Sequence, residues 1–331
     1  MDLRKLYLLS VIAAVTFLTA ADGRLTSRQR PTHYPGPRWT PPASNLVEFD
    51  LTYDFSVPGE TRSMSFIVVL PTTTPGRQKI LSRSYSPRPS RIFNENGNRY
   101  AEFVFNEPER HEKVKIRVKA ELYRYDLLSA NGKAGEKGAE SDQFEDFLKQ
   151  ERYIESDQDE IRQIAAGLEG DTEMDEVGQI YDYVLDHMEY VVSGKRDKGA
   201  IVALERGKGD CTEYADLFVA ICRARDIPAR VVTGYTVKVD TATSKHNWAE
   251  VYLQDRGWVP FDPASGDMKS PIFRHRAFGR MRPVYIYLSH IRNDYVLGNR
   301  NFGTYRYRGD KVRLTDSIEF KSPAISTRES R

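Results

Sequence analysis

From Gly207 to Arg230 the chain reads G-K-G-D-C-T-E-Y-A-D-L-F-V-A-I-C-R-A-R-D-I-P-A-R. Tyr214, Leu217, Phe218, Ile221 and Cys222 recur there at three- and four-residue spacing, which predicts a helix with one apolar stripe. Asp210 and Glu213 have the spacing of a capping box at its start. Ile227-Pro228 ends it, because proline cannot continue the hydrogen-bond ladder. Next come a strand, A-R-V-V-T-G-Y-T-V-K-V, and a polar loop over 240–245. H-N-W-A-E-V-Y-L and G-W-V-P-F-D then form a hairpin around Gln254-Asp255-Arg256. Upstream, Ile161, Ile164, Ala165 and Leu168 follow Ser156, the expected N-cap, and Val177, Ile180, Tyr181, Val184 and Met188 make a second helical stripe.

The first third of the chain has a different period. In L-V-E-F-D-L-T-Y-D-F-S-V, Val47, Phe49, Leu51 and Tyr53 fall on one side. S-F-I-V-V-L, R-Y-A-E-F-V-F and K-V-K-I-R-V-K-A-E-L-Y continue the β-rich pattern, separated by Pro58-Gly59, Pro75-Gly76 and Asn96-Gly97. Short strands with turns between them predict a β-sandwich-like domain. After Asp267, P-V-Y-I-Y-L-S-H and T-Y-R-Y-R-G-D-K-V-R-L read as further strands packing on the core. The fold class is therefore α+β, with helices on an antiparallel sheet preceded by a β-sandwich-like domain. The expected organisation is a leader over 1–21, a Pro/Arg-rich linker over 22–45 and the sandwich-like domain over 46–125. The α+β core follows over 126–270, entered through a Gly/Lys loop at 131–138, with a C-terminal β extension over 271–321 and a polar tail over 322–331.

Composition narrows the classes of function. The 331 residues carry a net charge of +2, from 49 basic and 47 acidic residues, so no nucleic-acid footprint is present. Two cysteines do not make a disulfide framework. On one helix Cys211 and Cys222 stand about 16 Å apart at about 1.5 Å of rise per residue, beyond the roughly 7 Å a disulfide spans. At the N-terminus Arg4 and Lys5 precede a largely apolar run from Leu6 to Thr19, then Thr19-Ala20-Ala21 offers small residues for cleavage. That run is shorter than the roughly 20 residues of a spanning helix. The reading is an exported protein, secreted or periplasmic, with no transmembrane span in its mature form; the alternative is that the run stays as an uncleaved anchor. No cysteine near the cleavage region would accept a lipid.

The candidate chemistry centres on Cys211. A thiol in the first turn of a helix faces unpaired backbone N–H groups and the positive end of the helix dipole, which favours the thiolate. A buried structural cysteine is the alternative for this residue alone. His246 begins the second strand of the meander and Asp262 ends the third, so a nucleophile, a base and an orienting acid occur in that order. Period-two alternation puts His246, Trp248 and Glu250 on one face. Asp262 shares that face only if the hairpin loop has an odd length or a bulge. Tyr190 and Trp248 are secondary candidates for oxyanion or substrate contact, against the alternative that both are core aromatics. None of the six histidines has C-x-x-C or H-x-x-x-H spacing with another ligand, so neither a metal nor a cofactor is expected.

These motifs resemble one family. G-D-C at 209–211, A-D-L-F-V-A-I-C-R-A-R-D-I-P-A-R at 215–230, V-T-G-Y at 232–235, H-N-W-A-E-V at 246–251 and G-W-V-P-F-D-P at 257–263 are similar to the transglutaminase-like superfamily, in its bacterial and archaeal branch. The resemblance implies a papain-like core with Cys211 as nucleophile, His246 as base and Asp262 as orienting acid. L-P-T-T-T-P-G-R-Q-K-I and N-G-N-R-Y also resemble the β domains that often precede this core. The animal crosslinking enzymes have Trp after the nucleophile where this chain has Thr212, and they use calcium, for which no Asp/Asn-rich loop of EF-hand spacing is present here. Asp226 stands where the branch commonly ends the helix with Gly. The implied function is cysteine-dependent acyl transfer on peptide or amide bonds, with hydrolysis favoured over transamidation and a protein or peptide substrate of the cell envelope or exterior. The alternative is a catalytically idle scaffold that binds a protein partner.

Overall fold

Val47, Phe49, Leu51, Tyr53 and Phe55 alternate along the first strand and all are buried. In the computed structural model, which describes residues 43–128, 144–192, 197–237, 245–267 and 271–321, this strand is β1 (Ser44–Ser56). The leader at 1–21, nearly all of the linker, the loop at 131–138, most of the polar loop at 240–245 and the tail at 322–331 lie outside the described residues. After β1 come β2 (Ser63–Leu70), β3 (Gln78–Ser86), β4 (Arg91–Glu95), β5 (Asn98–Asn106), β6 (His111–Tyr123) and β7 (Tyr125–Asp126). The middle of the chain holds α1 (Asp159–Ala166), α2 (Glu173–His187), β8 (Glu189–Tyr190), α3 (Ala200–Arg206), β9 (Lys208–Gly209) and α4 (Cys211–Ala224). The remainder is β10 (Ala229–Thr236), β11 (Lys245–Leu253), β12 (Gly257–Phe261), α5 (Pro263–Gly266), α6 (Pro271–Ala277), β13 (Arg280–Met281), β14 (Tyr285–Ser289), β15 (Gly303–Arg308) and β16 (Arg313–Phe320).

Two four-stranded antiparallel sheets, ordered β16-β1-β6-β3 and β15-β2-β5-β4, enclose an apolar core that includes Phe49, Phe55, Phe66 and Phe103. A third four-stranded sheet, β12-β11-β10-β14, carries the helices on a second core built around Phe218, Ile221, Val232 and Trp248. The described residues are thus mixed α and β, with an α+β core. The late strands are placed differently from the sequence reading, in which they all pack on the α+β core. β14 extends the sheet of that core, whereas β15 pairs with β2 and β16 with β1. Strand alternation reveals that a strand has a buried face, but not which sheet supplies that face. A smaller difference concerns α1. Gln158, not Ser156, is its N-cap, and its side chain makes no capping bond.

Helix α4 differs from its amphipathic prediction. Every residue from Thr212 to Arg223 is buried, the charged ones included. Asp216 accepts two bonds from Arg292, at 2.7 and 3.0 Å, and Arg223 donates to the carbonyls of Ala229 and Lys149 and to Glu151. Asp226 follows the helix with φ of 57°, a left-handed conformation that Asp tolerates better than most residues, and the Ile227 N–H returns to the Cys222 carbonyl at 3.0 Å.

Buried polar groups join the sandwich to the α+β core. At the start of β3, the Gln78 side chain donates to the Tyr287 carbonyl at 2.8 Å and accepts from the Tyr287 N–H at 2.9 Å, in the manner of a backbone pair. Its neighbour Arg77 reaches Glu250 at 3.3 Å and the Trp258 carbonyl at 2.5 Å, and its guanidinium lies 4.2 Å from the Tyr125 ring centroid. Arg230 holds the other Glu250 oxygen at 2.7 and 3.0 Å. Burial pushes the Glu250 carboxyl up, but the charges of Arg230 and Arg77 outweigh burial and bring it down to about 2. Glu250→Ala leaves the buried Arg77 and the partly buried Arg230 without their anion and is expected to cost about 3–5 kcal/mol in urea unfolding at pH 7. Because the folded Glu250 titrates below its unfolded value of 4.5, its contribution is complete above pH 4.5 and is lost as pH falls towards 2. Acid titration of stability therefore has a shallower slope over that window in the variant.

Candidate active site

The capping box expected at Asp210 is present. The Asp210 carboxylate accepts the Thr212 N–H at 2.9 Å, and Glu213 folds back to accept the Asp210 N–H at 2.9 Å. Gly209 makes the fold-back possible, since a Cβ there would lie 2.5 Å from the Glu213 Cβ. Cys211 is the first residue of α4 and is partly exposed, while Cys222, near the far end of the same helix, is fully buried. Both are free thiols, and burial pushes the Cys222 thiol well up.

His246 and Asp262 arrive from the sheet. Residues 254–256 make a three-residue hairpin loop, closed by Gly257 at φ 71° and by the Arg256 N–H bonding to the Leu253 carbonyl. The odd length keeps even-numbered positions of β11 and β12 on one face, as a shared face for His246 and Asp262 requires. The His246 Nε2–H donates to Asp262 Oδ2 at 2.6 Å, and Cys211 lies close enough to His246 to favour the imidazolium charge. With Nε2 occupied by Asp262, Nδ1 is the nitrogen left for the thiol. Asp262 is itself the N-cap of α5, its Oδ1 accepting the Ser265 N–H at 2.9 Å. Burial disfavours the charge on both groups. The pair overcomes burial through mutual attraction and hydrogen bonding, which raises His246 and lowers Asp262.

The two secondary candidates separate. Tyr190 in β8 pairs opposite Gly209 in β9 and is 48% exposed, with its ring 6.1 Å from that of Tyr214. Cys211 and Asp210 lie near enough that, after burial, their charges raise its phenol. Trp248 is 0% exposed, so substrate contact is not open to it. It lies alongside the His246 ring at 6.0 Å, with Tyr285 and Tyr287 edge-on to it at 5.2 and 4.8 Å. The sequence reading also passed over four residues. Asn247 donates to Thr212 at 2.9 Å and accepts from Thr233 at 2.9 Å, tying the residue after Cys211 to the residue after His246. Tyr285 donates to Asp262 Oδ2 at 2.7 Å. Adjacency to the site residues pointed to Asn247 and Thr212, but no local pattern links Thr233 or Tyr285 to the site.

Residues 161–263 match the model of the transglutaminase-like superfamily. That segment contains Cys211, His246 and Asp262. It belongs to the transglutaminase-like superfamily. The transglutaminase-like fold also covers most of a solved structure from Cytophaga hutchinsonii, a candidate cysteine protease, at a TM-score of 0.57 and 20% identity over 85% of this chain and 93% of that one. An uncharacterized protein, YebA of Bacillus subtilis, is 28% identical over 37% of this chain, and the peptide-N(4)-(N-acetyl-beta-glucosaminyl)asparagine amidase of Drosophila melanogaster is 31% identical over 32%. The matched stretches make up 20% and 15% of those two relatives. Among the described residues, the protein has no helix long and apolar enough to cross a membrane and no group of three or more His, Cys, Asp or Glu placed to hold a metal ion.

Asn247→Ala strands the buried hydroxyls of Thr212 and Thr233 and is expected to lower stability by about 2 kcal/mol. Denaturant unfolding measures this, and alkylation of Cys211 reports whether the start of α4 has moved relative to β11.

Proposed function

We propose that the protein is an exported, cysteine-dependent enzyme that cleaves amide bonds in proteins or peptides through an acyl-enzyme. One observation carries this reading: His246 bonds Asp262 at 2.6 Å through Nε2, and the partly exposed Cys211 lies close enough to favour the imidazolium charge. The Cys211 sulfur, as thiolate, attacks the carbonyl carbon and forms the S–C bond. The His246 imidazolium, stabilised by Asp262, gives its proton to the nitrogen as the C–N bond breaks and the amine leaves. Neutral His246 then takes a proton from water, the hydroxide adds to the thioester, and the S–C bond breaks to release the acid and restore the ion pair. The capping box uses the N–H groups of Thr212 and Glu213 but not that of Cys211. That N–H, with the Tyr190 hydroxyl beside it, is assigned to the developing oxyanion. The leader pattern over residues 1–21 supports export, to the periplasm or exterior, and hence an envelope or extracellular substrate.

Two measurements test the reading. At pH 6, iodoacetamide should label Cys211 about tenfold faster in the wild type than in His246→Ala, because the variant loses the imidazolium that faces the sulfur. Cys222 should stay unlabelled in both. Equal labelling of Cys211 in the two proteins would favour an idle scaffold. Mass spectrometry of a peptide library with and without added primary amine then separates the outcomes. Hydrolysis gives free acids whether or not amine is present, whereas transamidation gives amine adducts.

A further inference from the structure

Asp262 Oδ2 has two donors, the His246 Nε2–H at 2.6 Å and the Tyr285 hydroxyl at 2.7 Å. Tyr285 lies on β14, outside the segment matched by the family model, and at the opposite edge of the sheet β12-β11-β10-β14 from the strand that ends at Asp262. On a flat sheet three strand spacings of about 4.8 Å would separate those edges. Here β14 pairs with β10 through a register shift at Thr233/Gly234, where a Cβ on Gly234 would stand 2.0 Å from the Ile286 carbonyl oxygen, and Gly234 pairs with His246 on its other side. The Tyr285 ring packs at 6.1 Å from His246 and 5.2 Å from Trp248, and it contacts both hydrophobic cores. A carboxylate only accepts, so the phenol must be the donor.

We propose that Tyr285 is a positioning residue that sets the basicity of His246 by sharing the Asp262 oxygen on which the imidazole depends. This rests on the Cys211–His246–Asp262 reading above. A second donor on Oδ2 draws negative charge away from the imidazolium, so His246 releases its proton to a leaving amine more readily than it would beside an unshared carboxylate. The hydroxyl also fixes the carboxylate plane, together with the Ser265 N–H on Oδ1. The other ionisable groups around the cluster are Cys211 at His246, Tyr181 and Tyr190 near Asp262, and Arg282 near Tyr285. None of them changes in the test.

Tyr285→Phe keeps the ring and removes only the hydroxyl. The titration midpoint of the His246 ring, followed by NMR in the whole protein without substrate, is expected to rise by about 0.5–1 pH unit relative to wild type. Turnover should fall about tenfold with KM unchanged. Site-specific 3-fluorotyrosine at position 285, a stronger donor of nearly the same shape, should move the midpoint the opposite way. It provides the test if the Phe variant fails to fold. A midpoint unmoved by either folded variant overturns the proposal, as does a fall in the midpoint of Tyr285→Phe. Because the His246 titration is read apart from Cys211 reactivity, the Tyr285 proposal can fail while Cys211 remains a His246-dependent nucleophile. A Cys211 that ignores His246 would overturn the catalytic reading itself.

Discussion

A helix enclosed on every side cannot rotate or slide without unpacking its neighbours, and α4 is such a helix. Its burial runs from Thr212 to Arg223, so the position of its first residue is set by the packing of the whole core and not by the loop before it. The capping box completes the constraint by satisfying the Thr212, Glu213 and Asp210 N–H groups internally. Cys211 is thereby held at a fixed point on the rim, partly open to solvent, while Cys222 on the same helix is sealed within the core.

Such enclosure has an electrostatic consequence. Asp216, Arg223, Glu250 and Arg77 all lie out of water, where an unpaired charge costs several kcal/mol, and each is matched by a partner distant in the chain. Arg292 comes from beyond β14, Glu151 from before α1, and Arg77 from the sandwich. Replacing these pairs with apolar side chains could be as stable, so stability alone does not account for them. Any packing that parted one of these pairs would leave a buried charge unmatched. Gln78 and Arg77 fasten the sandwich to β14, β11 and β12, in the sheet that bears His246.

The family segment at 161–263 holds α4, His246 and Asp262, yet much of what supports them lies outside it. Tyr285 on β14 reaches Asp262, Arg292 neutralises Asp216, and Arg77 shares Glu250 with Arg230. Cys211, His246 and Asp262 are local to one segment, whereas the polar side chains around them also come from the sandwich and from residues beyond β13.

Local physics made much of this legible in the sequence. Apolar spacing located α4 and the strands, the Asp210–Glu213 spacing announced the capping box, and the odd three-residue loop required for a shared face is present between Leu253 and Gly257. Those features depend on residues a few positions apart. Tertiary structure decided the rest. The stripe on α4 did not reveal that its polar side is buried too, because Arg292 and Glu151 must come from elsewhere to make that burial tolerable. Alternation in β15 and β16 did not reveal that their apolar faces belong to the sandwich and not to the neighbouring core. The family motifs included H-N-W but did not reveal that Trp248 lies behind His246, or that a tyrosine twenty-three residues past Asp262 shares its carboxylate. Periodicity records which side of an element is apolar. The partner of that side, and the donors gathered around one carboxylate oxygen, are set only when distant segments close on each other.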